Sequence, residues 1–81
     1  MTDLRQGVTA AAHEALDMVE QLRTTHADLP PVQHLEFGKG RAQQASRTAN
    51  PSNKRTFALQ AAAHLILAVE LNDSALAERA A

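Results

Sequence analysis

Five cations, Lys39, Arg41, Arg47, Lys54 and Arg55, fall within residues 37–69, a stretch of 33 positions that holds no Asp or Glu. Counting His as neutral, residues 1–36 carry −4, residues 37–69 carry +5 and residues 70–81 carry −2, so the total of −1 conceals a segregated chain. Segregation of this kind bears on partners rather than on fold. Within Pro51-Ser52-Asn53-Lys54-Arg55-Thr56 the charge coincides with a helix start. The free N–H groups of a first turn and its positive dipole end make Lys54 and Arg55 unfavourable there, and an anion relieves the repulsion. A carboxylate cluster on a partner protein, or a nucleic-acid phosphate, supplies that chemistry. The candidate anion-binding set is therefore Lys39, Arg41, Arg47, Ser52, Asn53, Lys54 and Arg55.

A polar helix from Arg41, a turn at Asn50-Pro51 and a helix from Asn53 also match a helix-turn-helix in outline, which makes nucleic acid the rival partner. Three features weigh against it. The chain turns apolar at Phe57, where a recognition helix needs an exposed face. The basic stretch has no run of aromatics for base stacking. The net charge of −1 is not that of a basic domain.

Other chemistry finds less support. Gly38-Lys39-Gly40-Arg41 has glycines and a cation but lacks the glycine spacing and the Ser or Thr after Lys that a phosphate loop needs. His13, His26, His34 and His64 include no pair three or four residues apart, so no metal ligand set is formed, and without Cys no thiolate site or disulfide exists. His64 lies inside an apolar helix, where the expectation is a partly buried imidazole hydrogen-bonded to a neighbouring chain. Ser46, Ser52 and Ser74 sit in turn or cap settings, and no paired carboxylates occupy an apolar environment. No catalytic set, cofactor or small-molecule substrate is inferred, and the chain reads as a non-enzyme.

The elements that position these residues are helices. Seventeen Ala and ten Leu supply most of the apolar content, whereas β-branched and aromatic residues are scarce, which favours helix over sheet. The first helix is predicted from about Asp3 to His26, with Thr2 or Asp3 as cap and a heptad seam of Leu4, Val8, Ala11, Ala15, Met18 and Leu22, widened by Ala12, Leu16 and Val19. Gly7 weakens its first turns. Asp28-Leu29-Pro30-Pro31 stops it and starts a short helix from about Pro31 to Phe37, which Gly38 ends. Residues 38–53 bury little and are either a mobile connection or contain a short polar helix from Arg41 to Thr48. A helix capped by Ser52 or Asn53 runs to about Leu71 and is apolar almost all round, so it is either the centre of the domain or covered by another subunit. It is too short to span a membrane. Asn72-Asp73-Ser74 turns the chain into a last short helix, Ala75–Ala80.

The expected fold is all-α: one domain over residues 1–81, a small helical bundle of two long antiparallel helices plus two or three short ones. A domain this small buries only about 60–65% of its unfolded surface, which makes oligomerisation the expected source of added stability. A homodimer through Leu59, Ile66, Leu67 and Leu71 follows, with Leu65 as a buried core residue. No secretory signal opens the chain, so a cytoplasmic setting is the expectation. The functional expectation is a non-enzymatic interaction or regulatory module that self-associates and offers its basic segment to an acidic protein partner, with nucleic acid as the alternative.

Overall fold

A computed structural model describes residues 4–80, with side chains placed from residue 9 to residue 79. The fold is all-α and consists, over the described residues, of three helices: α1 (Leu4–Thr25), α2 (Pro31–Arg47) and α3 (Pro51–Ala80). The caps expected at Thr2 or Asp3 and the seam side chains Leu4 and Val8 lie outside the described side chains. α1 ends as the Pro-Pro pair predicts. The His26 N–H donates to the Leu22 carbonyl to close the last turn, and α2 begins with Pro31 in its first position, where the missing N–H costs nothing.

Two predicted breaks are absent. Gly38 does not end the second helix, which continues through Gly40 to Arg47 and so absorbs most of the segment expected to be mobile or to hold a separate polar helix. A helical glycine costs about 1 kcal/mol relative to Ala, and at Gly38 tight packing acts against that preference. A Cβ placed there would sit 3.0 Å from the Leu65 side chain and 3.2 Å from the Ala61 carbonyl oxygen. A side chain there would require Leu65 or the α3 backbone to give way by a few tenths of an ångström. Nor do Asn72, Asp73 and Ser74 end α3. They are weak helix formers but include neither Pro nor Gly, and an established helix propagates through them more cheaply than a new one nucleates.

The continuous α2 changes the topology. Its 17 residues span about 25 Å and carry the chain back along the molecule before α3 begins. α2 and α3 are therefore the antiparallel pair: Gly38 meets Ala61 and Leu65, His34 meets His64, and Ser46 lies across from Lys54. α1 and α3, expected to be antiparallel, run parallel, with Glu14 paired to Arg55 at one end and Arg23 to Glu70 at the other. Among the described residues, α1 and α2 flank α3 without bringing their own Cα atoms within 8 Å.

That layout explains the apolar circumference of α3, which is the central helix of the domain. Val19, Ala63 and Leu67 form the innermost cluster, bordered by Met18, Leu22, Ile66 and Leu71. Fully burying a side chain such as Leu67 contributes about 1.5–3 kcal/mol. Leu65, expected in the core, is instead 41% exposed, because it points to the side of the α2–α3 seam away from α1.

Candidate functional site

The α2–α3 hairpin gathers the candidate residues. A short connection, Thr48–Asn50, joins the two helices. Asn50, rather than Ser52 or Asn53, caps α3: its Oδ1 accepts from the Ser52 N–H at 2.9 Å and the Asn53 N–H at 3.2 Å. The anion position expected at this helix start is thus partly occupied by the chain's own amide oxygen. Ser52 and Asn53 contribute backbone N–H groups to that cap, and their side chains are exposed.

The five cations divide. Arg55 reaches across to Glu14 of α1, and this carboxylate holds its guanidinium pKa above the ordinary value. Arg41 donates to Gln44 Oε1 at 2.8 Å and lies 6.0 Å from the centre of the Phe57 ring. The second of these is a cation–π contact. Lys39, Arg47 and Lys54 make no ion pair among the described residues. Arg47 and Lys54 belong to the last turn of α2 and the first turn of α3, at the tip of the hairpin. As for the helix-turn-helix outline, α3 packs along α2 through Phe57, Ala61 and His64, while residues 51–56 at its start are exposed.

The residues expected to mediate self-association are placed differently. Leu59 and Leu67 are buried within one chain, and Ile66 and Leu71 border the core. The apolar side chains left in solvent are others. Val32 is 61% exposed and Val69 57%, with Leu35 and Leu65 also exposed; Val32, Leu35 and Val69 line one shallow hollow on the α2–α3 seam and Leu65 another, and the two make up a trough along it. The inward stripe of α2 is His34, Gly38 and Ala45; Leu35 and Ala42 flank it on the trough side, Phe37 and Arg41 on the side facing α1.

On that second side, a cleft of about 330 Å³ lies between α1 and α2, with Gln60, Ala63 and His64 of α3 as its floor. Beneath it sits a buried imidazole pair. His34 is 0% exposed and His64 8%, their Nδ1 atoms are 3.1 Å apart, and Phe37 packs 5.4 Å from the His64 ring. Only one of the two Nδ1 atoms can carry the shared hydrogen. Burial lowers the pKa of both imidazoles, with His26 adding to the effect on each and His34 and Arg41 adding to it at His64. His34 Nε2 and Gln60 Oε1 are buried without a partner. With His34 as the Nδ1 donor, its Nε2 leaves a bare lone pair inside the protein rather than an orphaned N–H, the less costly arrangement.

No family model, curated protein or solved structure matches this chain. Among the described residues no three His, Asp or Glu converge as a metal-holding group, and no helix is long and apolar enough to cross a membrane. Ser46 Oγ donates to the Gln43 carbonyl at 2.8 Å, with no imidazole partner among the described residues.

The histidine pair is hidden in the sequence because its members are 30 positions apart, and only the return of α2 along α3 aligns them. The trough leaves a clearer trace. Ala58, Ala62, Leu65, Val69 and Leu76 recur at helical spacing and mark one face of α3, but in an all-apolar helix that face does not stand out from the rest.

Proposed function

We propose that this protein is a non-enzymatic protein-interaction module whose α2–α3 hairpin meets an acidic partner through its basic tip. The observation that carries the reading is the state of the hairpin cations. Arg47 and Lys54 stand exposed at the tip with no ion pair among the described residues, while Asn50 caps the adjacent helix start from within the chain. Charges that the fold does not use for itself are available to an outside surface, where they act chiefly on encounter rate and orientation. Lys39 extends the same charge along α2. Arg55 and Arg41, held by Glu14 and by Gln44 with Phe57, contribute to the local potential more than to direct contact.

The test uses poly-glutamate as an acidic probe and a duplex oligonucleotide as its rival. Binding to poly-glutamate that weakens with salt, and weakens further in the double variant Arg47→Ala with Lys54→Ala, supports the reading. Tighter binding to the oligonucleotide at physiological salt, with the salt slope flattened by about two phosphates' worth in the same variant, replaces the acidic protein with nucleic acid. Binding of neither probe refutes a functional basic tip.

A further inference from the structure

We propose that the trough formed by Val32, Leu35, Leu65 and Val69 is covered by a second copy of this chain, running antiparallel, so that two α2–α3 hairpins close a four-helix bundle. The inference rests on the interaction-module reading only in taking the hairpin as the working surface; of the two cations at the basic tip, Lys54 also takes part in this contact. α3 is flanked by α1 and α2, and apart from Leu16, Phe37 and Leu76 the exposed large apolar side chains among the described residues lie in the trough: Val and Leu on both helices, with small Ala42, Ala58 and Ala62 between them. Four helices around such a seam form a standard closed layer, in which each hairpin supplies half of the core.

Charge along α3 selects the second copy and its direction. Lys54 borders the trough at the head of α3, and Asn72, with Asp73 beside it, lies at the other end. The apolar positions Ala58, Ala62, Leu65 and Val69 are centred between Ala62 and Leu65, and Lys54 and Asp73 lie equally far from that centre. A two-fold axis there sets the basic head of one α3 against the acidic tail of the other and opposes the two helix dipoles. A parallel copy would place Lys54 against Lys54 and Asp73 against Asp73.

The size of the face is sufficient. From Ala58 to Leu76 the stripe runs about 27 Å, and two packed helices are about 18 Å wide. Roughly 500 Å² per copy reaches the total of about 1,000 Å² that a specific interface requires.

Light scattering during size exclusion should report a dimer at tens of micromolar. Val69→Glu should convert it to a monomer that keeps its helical circular dichroism, since Val69 is largely exposed, and Val32→Lys on the other wall should do the same. Lys54→Glu should raise the dimer dissociation constant by roughly two- to thirty-fold, two exposed charge contacts being lost per dimer, and Lys54→Glu with Asp73→Lys should restore it. Because the chain has no Cys, direction can be read by cross-linking. A mixture of Lys54→Cys and Asp73→Cys chains should join through a short bismaleimide, and Lys54→Cys alone should not.

A monomer at tens of micromolar, a dimer indifferent to both Val69→Glu and Val32→Lys, or efficient joining of Lys54→Cys to itself overturns the proposal. If no dimer forms but poly-glutamate binding persists, this inference fails while the interaction-module reading stands. An intact dimer that ignores poly-glutamate has the opposite meaning.

Discussion

Acid should destabilise this protein well before its carboxylates titrate, and the cause is the His34–His64 pair. Both imidazoles are held neutral by burial, so both pKa values lie below the value near 6.5 of an exposed histidine. As pH falls through 6.5 the unfolded chain takes up protons that the folded chain refuses. The unfolded state then binds more protons than the native one, and stability falls with falling pH. Stability from the neutral pair is complete above 6.5 and is lost below it. Each imidazole that stays neutral when folded costs about 1.4 kcal/mol per pH unit in that range. Between pH 7.5 and 5.5 the limiting loss is therefore about 2.7 kcal/mol for the pair. A domain of this length has about 4–12 kcal/mol in all. Protonation of both rings would also face two N–H donors across the Nδ1 contact, and His26 and Arg41 add positive charge nearby. Urea unfolding at pH 7.5, 6.5 and 5.5 measures the effect, with the double variant His34→Leu and His64→Leu as the comparison, since it removes both titrating groups and leaves no orphaned partner. A wild-type change below about 0.5 kcal/mol over that range, or an equal fall in the double variant, refutes the reasoning.

The two glycines of α2 should respond to alanine in opposite directions. Gly40→Ala meets open space and should stabilise by about 0.5–1 kcal/mol, whereas Gly38→Ala drives a methyl into Leu65 and the Ala61 carbonyl and should lower the melting temperature. Leu67→Ala should cost about 2–5 kcal/mol by denaturant unfolding, and Leu65→Ala clearly less, since Leu65 stands at the edge of the trough. Asn50→Ala, which strips the α3 cap, should cost about 0.5–2 kcal/mol, while Ser52→Ala should cost almost nothing by the same assay.

Composition and apolar periodicity are enough to read the helices themselves, and the starts at Pro31 and near Asn50-Pro51 follow from proline's fixed backbone angle and missing donor. The ends are less legible. Gly38 and Asn72-Asp73-Ser74 carry local preferences for turns, and local preference is a matter of about 1 kcal/mol per residue. Packing decides at that scale. The Ala61 carbonyl and the Leu65 side chain, not Gly38 or its neighbours in sequence, determine that the glycine belongs inside a helix.

The length of α2 sets the topology. With α2 ended at Phe37, the chain has no rigid return, and α1 and α3 are left to pair with each other as antiparallel neighbours. With α2 extended to Arg47, the same residues place His34 opposite His64 and Lys54 opposite Ser46. The charge pattern changes meaning for the same reason. Arg55 belongs to an acid-free stretch of sequence, yet in space it faces Glu14, and the outward charge of the hairpin falls to Lys39, Arg47 and Lys54. The apolar pattern shifts in parallel: Leu59 and Leu67 go to the interior because α3 has two intramolecular neighbours, and a docking surface must be sought on the side that neither neighbour covers. Val69 on that side is thus the informative position, since adding charge there leaves the three-helix core intact and disturbs only what lies outside it.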